Sequence, residues 1–145
     1  MYLVDTNVIS ALAPSKVERN DELVAWFNRA SSVLYLSVIT GAEVMSGISK
    51  ADREGTTTKA QRLRDWWGAI EHLYSDRILP FDLACAHRAG RILDESRAHR
   101  PGFEDIAIAA TAQVHGLTVL SRNLRHFLPL GVAVQNPFEA IPTLP

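Results

Sequence analysis

Apolar and polar positions fall into short blocks along the chain, and the blocks switch between strand and helix spacing. The first is Tyr2-Leu3-Val4, which runs directly into Asp5-Thr6-Asn7. It predicts a short buried strand over Tyr2–Val4. Thr6 or Asn7 is expected to cap a helix from near Val8, since their side-chain oxygens satisfy free backbone N–H groups, with Pro14 ending it. Leu23, Trp26, Phe27 and Ala30 share one helical face and predict a helix over Asp21–Ala30. Val33–Ile39, rich in β-branched and aromatic residues, reads as the second strand. Thr40-Gly41-Ala42-Glu43 has the T-x-x-E form of a capping box and predicts a helix through about Lys50.

Residues 51–58, ADREGTTT, carry turn chemistry, and Lys59–Tyr74 is again helical, with Leu63, Trp66, Trp67 and Ile70 at helical spacing. Ile78-Leu79-Pro80-Phe81 is expected as a strand near a sheet edge, because proline cannot donate to a ladder. Asp82 is placed to cap a helix over Leu83–Arg97. The loop HRPGFED then feeds the apolar helix Ile106–Val114, stopped at Gly116. Leu117–Leu120 and Val132–Val134 are the last strands, the former followed by Ser121-Arg122-Asn123. Strands alternating with helices predict an α/β domain whose mainly parallel sheet is covered on both faces. Ligands of such sheets gather beyond the carboxyl ends of the strands.

Composition changes this picture little. The 145 residues are 47% hydrophobic and 21% charged, an ordinary globular balance that argues against disorder. Roughly 68–70% of the unfolded surface is buried at this size, enough for a core without staples. The net charge of −1 argues against a nucleic-acid coat protein, so nucleic-acid contact requires a local patch or a metal. One cysteine, Cys85, excludes an intrachain disulfide framework and a Cys-rich zinc site, and it reads as a small core residue. No apolar run reaches the ~20 residues of a bilayer span, and no signal peptide is evident. A cytoplasmic location, without membrane association, is the default expectation.

The candidate chemistry lies in the polar residues that end strands or open helices. Asp5 ends the first strand, Glu43 sits one turn into the helix after the second, Asp105 opens the apolar helix, and Asn123 follows the fourth strand. Each has a plain structural alternative. Asp5 serves as a cap or turn, Glu43 completes a capping box, Asp105 complements a helix dipole, and Asn123 fits a turn. As a set they point elsewhere. Carboxylates held together repel one another unless a cation or protons compensate. A hard cation such as Mg²⁺ prefers oxygen ligands, and two or three carboxylates around it suit phosphodiester hydrolysis. No Ser-His-Asp or Cys-His pattern supplies a protein nucleophile, which agrees with water as the attacking group.

The blocks YLVDTNVIS, SVITGAEVMSGI, EDIAIAATAQVHGLTVLSRNLRHF and VAVQNPF run in order over nearly the whole chain. In this order and spacing they resemble the PIN-domain ribonucleases, particularly the VapC-type toxins of bacterial toxin–antitoxin pairs. The D-x-x-I-A-A-T-A element followed by a strand and S-R-N is the most specific part. The resemblance implies a single PIN-like domain over residues 1–145, built as a three-layer α/β/α sandwich. It also implies a metal-dependent endoribonuclease using Mg²⁺ or Mn²⁺ and leaving 5′-phosphate and 3′-hydroxyl ends. By position, Asp5, Glu43 and Asp105 become the metal ligands. Asn123 takes the family's fourth acidic position, where a neutral oxygen donor removes one formal charge and bears on a second metal. Thr6 and Ser121 match hydroxyl positions that support the ligands, with Thr6 as a plain cap the alternative. Glu104 ranks behind Asp105, whose register fits the motif. Arg122 and Arg125 are better placed for RNA contact than Arg100, and His115 and His126 read as structural or solvent-facing.

The resemblance further implies a cognate antitoxin whose tail fills a groove and brings a basic residue to the acids, and a homodimer. The helices around Val44–Ile48 and Leu63–Ile70 are candidate surfaces for both. Trp66 and Trp67 fit core or partner packing, with base stacking as the other reading. Two rival functions stand beside the ribonuclease. One is a PIN-like module that binds RNA or protein without cutting, which Asn123 and the mild charge favour and the three acids oppose. The other is an aspartyl phosphatase or receiver domain. A phosphatase would carry a second Asp where this chain has Asn7, and a receiver would carry a late lysine, where the late basic residues are Arg and His.

Overall fold

The computed structural model describes residues 1–13 and 20–145, so the expected stop at Pro14 lies outside the described residues. Five strands form the sheet: β1 (Tyr2–Val4), β2 (Leu34–Ser37), β3 (Ile78–Leu79), β4 (Thr118–Leu120) and β5 (Val134–Gln135). They lie in the order β3-β2-β1-β4-β5, and every neighbouring pair is parallel. Among the described residues the α-helices are α1 (Thr6–Ala11), α2 (Asp21–Ala30), α3 (Val38–Arg53), α4 (Thr57–Leu73), α5 (Leu83–Glu95), α6 (Phe103–His115) and α7 (Leu124–Phe127). None of them is long and apolar enough to cross a membrane.

The strands are apolar on both faces, as parallel strands covered by helices must be. Tyr2, Val4, Leu34, Leu36 and Leu120 pack under α1–α4 with Trp26, Phe27 and Trp67. Leu3 and Val119 face the other way, into a core made with Ala89, Ile92, Phe127 and the small residues of α6. The result is the expected three-layer α/β/α sandwich. Cys85 is buried in it, and β3 stands at the sheet edge, where Pro80 follows it.

Several boundaries differ from the sequence reading. Asp5, not Thr6 or Asn7, is the N-cap of α1. The second strand stops at Ser37, whose Oγ accepts the Ile39 N–H at 3.1 Å and caps α3. The capping box at Thr40 does not form: Thr40 is already inside α3 and buried, because Ser37 meets a free N–H three residues earlier. Val38 and Ile39 are strand formers, yet packing overrides that weak preference. α3 continues past Lys50 to Arg53, and the break shrinks to Glu54-Gly55-Thr56, with Gly55 at φ 77°. α5 stops at Glu95 and a 3₁₀ turn takes Arg97–His99. α6 begins at Phe103 rather than Ile106 and ends on left-handed Gly116 at φ 65°. The last strand is Val134–Gln135 rather than Val132–Val134, and α7 had no counterpart in the sequence pattern.

Candidate active site

The strand order reverses between β1 and β4, since β2 and β3 lie on one side of β1 and β4 and β5 on the other. Such a switch point opens a crevice beyond the carboxyl ends of the strands. Asp5 and Ser121 are the first residues after β1 and β4. The Asp5 N–H donates to Leu120 O at 2.9 Å, so the backbone still follows the ladder where the carboxylate begins. This is a rigid mount, buried at 5% exposure.

Hydrogen bonds tie the expected residues together from four segments. Ser121 Oγ donates to Asp5 Oδ2 at 2.7 Å, and the Thr6 N–H donates to Asp5 Oδ1 at 2.8 Å. Asn7 Nδ2 donates to Ser121 Oγ at 3.2 Å, while Asn7 Oδ1 accepts the Arg122 N–H at 3.2 Å. Thr6 Oγ1 donates to Glu43 Oε1 at 2.8 Å and lies 3.1 Å from Thr40 Oγ1. Thr6 therefore steers Glu43 and does not cap. Asp105, in the first turn of α6, has Oδ2 3.2 Å from His126 Nδ1.

Electrostatics join the three acids into one group. Burial pushes the Asp5 carboxyl up to about 6; the Ser121 and Thr6 bonds pull it back, and the charges of Asp105 and Glu43 add to the rise. Glu43 is raised by burial, lowered by Thr6 and raised again by Glu104 and Asp105. Asp105 is raised by burial, eased by His126 and raised by Glu104. Among the described residues, no three His, Cys, Asp or Glu side chains are drawn tightly enough together to hold an ion as they stand. The acids thus feel one another without having closed on a common point.

The remaining candidates divide. Asn123 is exposed at the same edge; its N–H donates to Ser121 Oγ at 3.0 Å, and its side chain makes no cap bond to α7. The Arg122 guanidinium lies over the Phe138 ring at 3.7 Å, while Arg125 is exposed. Arg100 is exposed and left-handed at φ 45°, away from any bond to the acids. His115 is exposed at the end of α6, as expected. His126, read as structural or solvent-facing, touches Asp105, and Asn7 and Thr40, read only as capping residues, also belong to the network. A groove of about 300 Å³ leads away from Thr6 and Glu43 between α3 and α4, past Leu63 and Trp66 to Lys50 and Lys59. Ile48 faces the core and is not part of this groove, whose larger apolar side chains are Val44, Leu63 and Trp66.

Comparison with known proteins agrees with this architecture. The sequence model of the PIN domain matches residues 2–128. Toxin FitB of Neisseria gonorrhoeae is 37% identical over 145 residues, covering 96% of this chain and 99% of FitB. VapC ribonuclease Y4jK of Sinorhizobium fredii is 32% identical over 142 residues, covering 96% of this chain and 99% of the relative. The crystal structure of FitAcB from Neisseria gonorrhoeae superposes with a TM-score of 0.82 at 35% identity, over 95% of this chain and 99% of the matched one.

Proposed function

The chain belongs to the PIN domain family, and from that premise we propose that it is a metal-dependent endoribonuclease and the toxin of a toxin–antitoxin pair. Its relatives carry the names ribonuclease and toxin, and divalent metal use goes with the family. We take all 145 residues as one such domain. The observation that carries the reading is that, beside the sheet's switch point, the charges of Glu43 and Asp105 reach Asp5 and that of Asp105 reaches Glu43, with all three carboxyls raised.

The donor set fits a hard divalent cation. It is all carboxylate oxygen, it is anionic, and its mutual repulsion is relieved by positive charge. Asp5, Glu43 and Asp105 would hold the ion, Mg²⁺ by first preference and Mn²⁺ as a substitute. Bound there, the cation supplies Lewis acidity, lowering the pKa of water and offsetting charge on the phosphodiester. The protein's own part is orientation. Ser121 fixes Asp5 and Thr6 fixes Glu43, each by donating a hydroxyl proton to a carboxylate oxygen. Asn123 offers a neutral amide at the rim, and Arg125 offers a cation for the RNA backbone. Arg122, seated on Phe138, reaches RNA only from that ring.

An antitoxin would hold the toxin inactive, and the groove from Glu43 past Trp66 to Lys59 suits an extended tail. A homodimer belongs to the same proposal. The test is sequencing of RNA 5′-monophosphate ends after brief induction in cells, against Asp5→Asn. New ends are expected with the wild-type chain alone; identical ends from both chains, or none from either, would refute the proposal.

A further inference from the structure

Two of the three acids have a donor that fixes their orientation: Ser121 for Asp5 and Thr6 for Glu43. Asp105 opens α6 behind Gly102, where no side chain closes the helix end. Among the described residues, its polar partner is His126, with Nδ1 at 3.2 Å from Oδ2. We infer that His126 is the positioning residue of Asp105, holding one carboxylate oxygen so that the other is left to serve the shared site. The inference rests on the ribonuclease reading of that site.

The geometry favours a fixed donor over a wandering surface histidine. His126 lies on the short α7, and its neighbour Phe127 is fully buried in the core beneath α6. Its N–H donates to Asn123 O at 3.0 Å, which closes the turn that carries the ring. The imidazole is 45% exposed and Asp105 24% exposed, so the contact stands at the rim, where a loose carboxylate would swing to water. For Nδ1 to donate, the proton must sit on that nitrogen. The segment after β4 thereby steers two acids at once: Ser121 takes Asp5 and, five residues on, His126 takes Asp105. A metal ligand oriented by a neighbouring donor typically loses 10–100-fold in metal affinity or activity when that donor is removed.

Asparagine separates orientation from mere occupancy, because its amide N–H₂ can stand near the place of Nδ1. Mn²⁺ binding should be measured by calorimetry on the wild-type chain, His126→Ala, His126→Asn and Asp105→Asn, with kcat and KM on RNA alongside. His126→Ala should weaken Mn²⁺ binding by about 10–100-fold and lower kcat with KM little changed. His126→Asn should recover most of that loss, and Asp105→Asn should bind worst. Wild-type affinity in His126→Ala, or His126→Asn as weak as His126→Ala, would overturn the inference while leaving the site reading intact. Equal Mn²⁺ binding by wild type and Asp105→Asn would instead remove the site reading on which it rests.

Discussion

Asp5 and Asp82 are both N-caps lying between a strand and the next helix, and they end in opposite states. Asp82 Oδ1 accepts the Cys85 N–H at 3.0 Å, three residues ahead, as a helix cap does. It is exposed, and that bond holds its carboxyl below the usual value. Asp5 reaches only the adjacent Thr6 N–H and the Ser121 hydroxyl. It is buried beside two other acids, and its carboxyl rises to about 6. One aspartate relaxes a helix end; the other costs the fold stability wherever it is ionised. The difference comes from what distant segments bring to the strand end, not from the strand–Asp–helix pattern.

The contrast between the two aspartates is tested most forcefully through the partners of Asp5. If the acids act as a group, Glu43→Gln and Asp105→Asn each lose cleavage, while Asp82→Asn cleaves RNA as the wild type does. Metal-based charge stabilisation is worth several kcal/mol, which corresponds to a loss of about a thousandfold. Initial rates on a defined RNA would show it; equal losses at Asp82 would erase the distinction.

Stability against pH comes next. The Asp5 carboxyl stands at about 6 in the fold against 3.8 for an ordinary aspartate, so the folded chain holds the proton more tightly. The stability from keeping that proton is complete below about 4 and is lost as pH rises through about 6. Without metal, Asp5→Asn should therefore exceed the wild type by roughly 3 kcal/mol at pH 8, with no gain at pH 4. Asp82 has the opposite sign: its contribution is present above the ordinary aspartate pKa and fades as pH falls through its depressed folded value. Urea unfolding at pH 8 and pH 4, in chelator, checks the first, and the same series carried below pH 3.8, the ordinary aspartate value, checks the second.

A smaller effect is expected at Ser121. Ser121→Ala leaves Asp5 buried but undirected, and Mn²⁺ affinity should fall by about 10–100-fold, read by calorimetry. The smallest is Asp82→Ala, which removes an ordinary cap. It should lower Tm by a few degrees and leave both Mn²⁺ binding and RNA cleavage untouched.

The parallel α/β architecture, and the places of Asp5, Glu43 and Asp105 at element boundaries, were legible in the chain. Period-two and period-3.6 blocks alternate, and the acids sit at a strand end or early in a helix. The reading of Glu43 as a capping residue was not sustained. Ser37 and Thr40 are both able to cap, and the choice depends on where β2 leaves the ladder, with Leu36 N–H still bonded to Arg77 O at 2.9 Å. Helix starts were misjudged for the same reason: at Asp5, Ser37 and Phe103 the chain turns helical before its apolar period begins. His126 read only as structural or solvent-facing. Its contact with Asp105 crosses two helices and depends on how Phe127 seats α7 under α6.

On the proposed function, the carboxylate that ends β1 is a metal ligand for RNA cleavage. The most direct measurement is the rate of RNA cleavage by purified wild-type chain and Asp5→Asn, titrated with Mg²⁺ from a chelated start. A metal-ligand role for Asp5 predicts no cleavage in chelator, a saturable rise with Mg²⁺ for the wild type, and a flat line for Asp5→Asn. Cleavage that persists in chelator, or an Asp5→Asn titration that overlays the wild type, would contradict it.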